Sequence, residues 1–255
     1  DAGGSAIVQR ALRLIALGLA AYLLILVTTF PAARVTGMLE QRLSDLSILA
    51  VSGSVFSGNA GHVVWQDLDL GTLYWKFSPL ALLLGRFEYA VELTHPANTG
   101  QLSAGMTLFG NAYVHDLELK LLPDRIINHY SPVEVKTGGN WLLNFEEIDV
   151  DDVFSGSTGG QLAWQDAVIL EPVNMVLGLL KIDVQGNNAA LLGEIVEGGA
   201  VGASGNMSLL SAGGYQLDIT LRPGPDATAE TLELLEQGAR ILPNGDYLIR
   251  QSGRF

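Results

Sequence analysis

The side chains that could support catalysis or metal binding are few and widely spaced. The four histidines, His62, His95, His115 and His129, form neither an HExxH nor an HxH pattern. The chain has no cysteine, which excludes thiol nucleophiles, disulfides and cysteine-bound zinc. Its Ser-Gly pairs lack the GxSxG context of a hydrolase nucleophile. The residue types and their spacing therefore predict no catalytic residues, no metal site and no cofactor, and we expect a protein that is not an enzyme.

The densest acidic run, 146–152, is the next candidate for binding chemistry. Its members Glu147, Asp149 and Asp151 share a parity and could approach one cation through oxygen ligands. No glycine-containing calcium loop surrounds them, so a solvated acidic edge is the favoured interpretation. The glycine-rich stretch 156–160 lacks the Lys-Ser/Thr ending of a phosphate loop. A net charge of −13 also argues against nucleic acid as a partner, because nucleic-acid binding depends on a basic surface.

An uncharged run of 20 residues, 14–33, separates a short N-terminal stretch from the rest of the chain. As a helix rising about 1.5 Å per residue it spans about 30 Å, one bilayer core. It exceeds the apolar region of a typical signal peptide, which favours a retained anchor. The positive charges that flank the run nearly balance, so they barely determine its orientation in the membrane. We expect the large acidic remainder of the chain to be the exported part. We predict a cytoplasmic tail at 1–13, a transmembrane helix at 14–33 and a juxtamembrane segment at 34–50.

Beyond residue 50 the apolar residues recur with a period of two, which is typical of half-buried antiparallel strands. The clearest such segments, each bounded by turn residues, are 86–93, 116–121, 180–185 and 215–222. We expect their apolar positions to share one sheet face. The positions that could line a groove on it are Phe87, Tyr89, Val91, Leu217 and Ile219. The predicted fold is mainly β: an anchor helix, then an antiparallel sheet that is curved or grooved, with a late helix near 226–242.

Two triplets recur at a nearly constant displacement, which indicates internal duplication of the β region. Phe-Ser-Gly at 56–58 returns 98 positions later, and Trp-Gln-Asp at 65–67 returns 99 positions later. Convergent β patterning is the alternative explanation, since glycine-rich turns and strand tryptophans are common. The predicted arrangement is a first β unit at 51–130, a connecting segment at 131–153 and a second β unit at 154–255.

One segment carries a family resemblance. Its distinctive positions are Leu70, Gly71, Leu73, Trp75, Pro79, Gly85 and Arg86. With the stretch 51–66 before them and the Asn-Gly-Asp-Tyr turn at 244–247, these residues resemble the protein N family of bacterial type II secretion systems. From the residues themselves, each position has a structural explanation, Arg86 being the one that could also pair with an acidic neighbour or a partner. We expect the apolar residues 80–84 to form a buried turn or short helix.

The resemblance implies a single-pass component of the bacterial inner membrane whose C-terminal domain lies in the periplasm. It implies a role in exporting proteins across the outer membrane, performed through contacts with other membrane components of the secretion system. An anchored sheet with one apolar face is also similar to AsmA-like envelope proteins, which are implicated in lipid movement. In that alternative the apolar face stays open and binds acyl chains, whereas in the first it is filled by protein.

Overall fold

The computed structural model describes Thr29, residues 31–34, Gly37 and residues 46–65, 68–130, 134–171, 174–224 and 229–254. The predicted cytoplasmic tail and nearly all of the predicted transmembrane helix lie outside these residues. Among the residues that are described, no helix is both long and apolar enough to cross a membrane.

The described residues are mainly antiparallel β-structure, which confirms that part of the predicted fold. They form fourteen strands, which are β1 (Leu46–Gly53), β2 (Ser57–Trp65), β3 (Leu68–Phe77), β4 (Arg86–Thr94), β5 (Thr99–Thr107), β6 (Ala112–Leu121), β7 (Lys136–Asp149), β8 (Gly159–Glu171), β9 (Met175–Gly186), β10 (Ala190–Gly198), β11 (Ser204–Leu210), β12 (Gly214–Leu221), β13 (Arg240–Ile241) and β14 (Tyr247–Arg254). Within residues 46–254 the described helices are α1 (Pro123–Tyr130), α2 (Ala229–Gly238) and two short 3₁₀ helices, Pro79–Leu84 and Gly199–Val201. The late helix is thus present, and it ends at Gly238 because the chain then enters β13.

The chain divides into two compact units between Phe77 and Ser78. In the first unit β2 pairs with β1 on one side and with β3 on the other. Ala60 and Val63 of β2 are buried at its centre. In the second unit β4 to β12 pair in sequence order, and β14 then pairs with β12 and with β13.

The predicted connecting segment, 131–153, contains the 14-residue strand β7, which pairs with β6 and with β8. The acidic run inside it is part of that strand and its end rather than a free linker. Trp141, Leu143 and Phe145 alternate with Asn140, Leu142, Asn144 and Glu146, which gives β7 one wholly apolar side. The duplication into units 51–130 and 154–255 stays a prediction.

Strand register gives the second unit two chemically distinct faces, because residues paired across strands point to the same side. One side, called here the apolar face, runs through Val91, Leu102, Leu119, Leu143, Leu162, Ile182, Ile195, Met207, Leu217 and Ile249. The other side carries an unbroken polar row of Glu92, Gln101, Glu118, Asn144, Gln161, Asp183, Glu194, Asn206, Asp218 and Arg250.

No second layer packs over the apolar face in the part of the chain that the structure describes. The substantial contacts between elements there are those of neighbouring strands, with short helices adding contacts at β4 and β9, α1 on β7 and α2 on β14. A small core forms where Ala167, Leu177 and Val201 are buried together, with Trp164 packed against them. Most side chains of the apolar face are accordingly half-buried rather than buried.

Candidate contact surface

Four residues of the family resemblance lie in β3 of the first unit, and these are Leu70, Gly71, Leu73 and Trp75. Gly71 has a φ of +91°, which favours glycine, and its N–H donates to Oδ1 of Asp69 at 2.9 Å. Nε1 of Trp75 donates to the Ser54 carbonyl at 3.1 Å, and its ring fills the space left by the missing side chain of Gly58. These contacts hold β3 against its neighbours in the first unit.

The other three residues, Pro79, Gly85 and Arg86, lie at the start of the second unit. Pro79 begins the Pro79–Leu84 3₁₀ helix, and Gly85 ends it with a φ of +72°. Arg86 opens β4, and its guanidinium carbon lies 5.2 Å from the centre of the Tyr113 ring. Arg86 therefore makes a cation–π contact within the second unit, with the ring of Tyr113.

The expectation that residues 80–84 are buried is wrong. Ala81 alone of this run is buried, whereas Leu80, Leu83 and Leu84 are 76%, 83% and 77% exposed. A six-residue 3₁₀ helix turns few side chains toward the sheet, and Ala81 occupies the inward position. The run is hydrophobic, but among the described residues no layer of the second unit covers it.

The turn between β5 and β6 extends this exposed apolar region. Leu108 and Phe109 are 72% and 95% exposed, and the Leu108 N–H donates to the Gly85 carbonyl at 3.0 Å. That bond holds the turn beside the 3₁₀ helix. The five exposed side chains, Leu80, Leu83, Leu84, Leu108 and Phe109, are called here the apolar tip.

Asp149, Asp151 and Asp152, called here the acidic corner, lie at the end of β7. They contact the start of β6, next to the turn that carries Leu108 and Phe109. Oδ2 of Asp151 accepts the N–H of Ala112 at 2.7 Å, and the Val150 N–H donates to the Ala112 carbonyl at 3.1 Å. Oδ1 of Asp149 accepts the N–H groups of Asp151 and Asp152. These carboxylates thus organise the corner, and among the described residues no three His, Asp or Glu side chains converge as metal ligands.

A cluster of titratable side chains lies on the polar side of β4 and β6. Oε2 of Glu88 accepts the Tyr113 hydroxyl at 2.9 Å and lies 3.0 Å from Nε2 of His115, whose Nδ1 is 2.7 Å from Asp116. Gly105 of β5 lies between Glu88 and Tyr113 in the register, and a side chain there would collide with the Tyr113 hydroxyl. The glycine at position 105 is thus a sequence signal for this cluster. The signal can be recognised only once the pairing of β4, β5 and β6 is known.

The pKa values of both central groups are shifted. Burial lowers the pKa of His115, but the hydrogen bonds and charges of Glu88 and Asp116 outweigh it and raise that pKa above 6.5. Burial raises the pKa of Glu88, yet the hydrogen bonds from His115 and Tyr113 and nearby positive charge hold that pKa below 4.5. With His115 protonated, the cluster holds an ion pair between His115 and Glu88.

His115→Gln is expected to remove a stabilising effect that depends on pH. Because the folded-state pKa of His115 is raised, its contribution is complete below the unfolded-state pKa of about 6.5 and is lost as the pH rises through the higher folded-state pKa. The difference in free energy of unfolding between the parent and variant should therefore shrink as the pH rises above about 6.5, measured by urea unfolding. Glu88→Gln, which removes the charge that faces His115, should flatten the same profile. A difference that stays constant with pH would contradict this assignment.

The five predicted groove positions occupy the apolar face of the second unit. Phe87, Tyr89 and Val91 lie on β4, and Leu217 and Ile219 lie on β12, on the same side of the paired strands. Phe87 is 49% exposed, and the other four are half-buried. The structure thus brings the five onto one face, at distant strands, without placing them in a common enclosed cavity.

A concave region of about 990 Å³ lies instead against the opposite side. Its lining includes Gln161, Asp183, Glu194, Asn206 and Asp218 of the polar row. Gln161 donates to Oδ1 of Asp183 at 2.7 Å, so neighbouring members of the row are bonded to each other. The lining of this concavity combines these polar side chains with Val184, Leu192 and Met207.

Comparison with known proteins adds family information to this geometry. Residues 44–250 match the family model described as type II secretion system (T2SS), protein N. The chain is 26% identical over 223 residues to the type II secretion system protein N of Vibrio cholerae, covering 82% of this chain and 85% of that protein. It is 25% identical over 250 residues to the protein of the same name in Aeromonas hydrophila, covering 94% of this chain and 97% of the relative. No solved structure matches.

Proposed function

The chain belongs to the type II secretion system protein N family, and we propose that it is a non-enzymatic component of such a system that works through protein–protein contacts. It is anchored in the bacterial inner membrane by the uncharged run 14–33, with its β-rich part in the periplasm. Its partners are other membrane components of the system, and its role is in the export of proteins across the outer membrane. No nucleic acid takes part.

The observation that carries this proposal is the apolar tip. Five large apolar side chains that are between 72% and 95% exposed lie together on the 3₁₀ helix Pro79–Leu84 and the turn between β5 and β6. Contiguous exposed apolar side chains of this kind mark interaction sites in folded proteins. Burial of each one against a partner would contribute about 1.5–3 kcal/mol, enough for a few of them to hold a complex. The acidic corner beside the tip favours a partner that is apolar and basic at the contact.

The proposal is tested in a strain that lacks the chain. We expect a secreted enzyme to accumulate in the periplasm of that strain and to reach the medium again when the chain is restored. A detergent extract of the restored strain should yield identified secretion-system membrane proteins with the affinity-tagged chain. Normal secretion in the deletion strain, together with an extract that contains no such protein, would refute the proposal.

The open apolar face favours a second candidate function, the binding of acyl chains. Its side chains are half-buried, and among the described residues no helix or second sheet covers them. An apolar surface left open on a sheet can bind a lipid chain, as in the AsmA-like alternative. This function would also suit a protein held next to a membrane.

Ile219→Glu is expected to weaken binding of a fluorescent fatty acid at least tenfold if the apolar face binds lipid, because it places a charge on that face. The neighbouring Thr220→Glu is the matched control, since Thr220 points to the opposite side of β12. The measurement is fluorescence titration of cis-parinaric acid into the full chain held in amphipol. Equal affinity of both variants and the parent, or no saturable binding to the parent, would exclude this function.

A further inference from the structure

We propose that the outer edge of β14, from Ile249 to Arg254, accepts an extended acidic segment of a partner protein as an added strand. This inference rests on the proposed function, because it identifies one surface through which a component acting by contact would bind its partner.

The edge is open over six residues. β14 pairs with β12 along its whole length, from Tyr247 to Arg254, without a register shift. On its other side β13 reaches only Tyr247 and Leu248. Within 229–254 and the other described ranges, no strand pairs with β14 beyond Leu248. Six extended residues present about 20 Å of backbone to a partner.

The backbone groups that point outward can be identified from the turn before β14. The Leu242 N–H donates to the Asp246 carbonyl at 2.8 Å, which places the backbone bonding groups of Asp246 on the β13 side. Bonding groups alternate between the two sides along an antiparallel strand. Arg250, Ser252 and Arg254 therefore present their N–H and C=O groups to the open side. Extended peptides bind such edges through main-chain hydrogen bonds.

The edge is basic in an acidic protein. Arg240 of β13 pairs with Leu248 on the same side of the sheet as Arg250 and Arg254. Arg250 bonds to Asp218 at 2.8 Å, whereas Arg254 lies opposite Gly214, which has no side chain to pair with it. In a chain of net charge −13, Arg240 and Arg254 attract an acidic strand, whereas Asp218 balances the charge of Arg250.

The side-chain pattern defines the partner further. The added strand would place alternate residues beside Arg250 and Arg254 and the intervening residues beside Ile249 on the apolar face, so acidic and apolar residues should alternate. A second copy of the chain is disfavoured as the occupant. Antiparallel pairing of two β14 edges about Ser252 would set Arg250 directly opposite Arg254, and like charges there are destabilising.

The test uses the full chain in amphipol and a labelled synthetic peptide of eight residues in which Val and Glu alternate. Ser252→Pro removes an outward N–H, while proline is tolerated on an edge strand and the bonds to β12 persist. Ser252→Val is the matched control, because it keeps the N–H. We expect Ser252→Pro to weaken peptide binding at least tenfold and Ser252→Val to leave it unchanged, as measured by fluorescence anisotropy. A Val/Lys peptide should bind at least tenfold more weakly than the Val/Glu peptide.

Two outcomes would overturn this inference. One is equal binding of the peptide to the parent and to Ser252→Pro, and the other is no binding to the parent. In either case the arginines protect the edge from aggregation and recruit no strand. Secretion by the restored strain is measured separately, so a functional chain that fails to bind the peptide would reject the edge alone and leave the proposed function intact.

Discussion

Simultaneous replacement of Leu83, Leu84 and Phe109 by serine is expected to reduce secretion at least tenfold in a strain that depends on the chain. The three side chains are 83%, 77% and 95% exposed, so they contribute little to the fold. If each is buried against a partner, its loss costs about 1.5 kcal/mol or more of binding free energy. A loss of about 1.4 kcal/mol is already tenfold in affinity, and three such losses exceed that amount.

Folding should be nearly unaffected by the same triple change, because exposed substitutions typically alter stability by about 0.5 kcal/mol or less. The matched control is the pair Val176→Ser and Val196→Ser, which removes apolar side chains that are 65% and 50% exposed on other strands. The control should secrete normally. A triple variant that secretes as well as the parent would mean that the apolar tip is not a contact surface.

Trp164→Ala is expected to be the most destabilising single substitution proposed, at about 3 kcal/mol. Trp164 packs against the small core of the second unit, and its ring meets that of Trp141 edge to face at 6.2 Å between centres. Its Nε1 also donates to the Gly138 carbonyl at 2.9 Å, so truncation leaves that acceptor without its partner. For a unit of this size the loss corresponds to roughly 6–12 °C in Tm.

Calorimetry of the parent and three variants separates these contributions. Trp164→Phe keeps a packed ring but loses the hydrogen bond, so it should cost about 1–2 kcal/mol, less than alanine. Trp65→Ala should cost less than Trp164→Ala, because Trp65 is 46% exposed although it is the counterpart of Trp164 in the sequence echo. A Tm for Trp164→Ala within about 2 °C of the parent would show that the small core does not limit stability.

Local pattern alone predicts much of this fold. Alternation at 86–93 and 215–222 identifies β4 and β12, since a period of two follows directly from strand geometry. The same pattern does not predict the full length of β7, because the acidic residues at the end of this strand are typical of a loop. The alternation also breaks at Asp116, where a φ of +51° and a register shift occur within β6.

Burial is harder to predict than secondary structure. Leu83 and Leu84 are residue types typical of a hydrophobic core. Whether they are buried depends on a second layer of structure, which the local sequence does not reveal. The His115–Glu88 contact likewise depends on pairing across β5, between residues that are 27 positions apart. The apolar tip and the Glu88–Tyr113–His115 cluster are therefore tertiary features, which local sequence does not predict.

The most direct measurement of the central claim is cross-linking in living cells from position 109. A photoreactive phenylalanine analogue replaces Phe109, and the same analogue at Val196 serves as the control. The proposed contact role predicts a covalent adduct between position 109 and a membrane protein of the type II secretion system, identified by mass spectrometry, with little or none from position 196. Absence of such an adduct from position 109, in cells where the substituted chain still supports secretion, would contradict the assignment of the apolar tip as the contact surface.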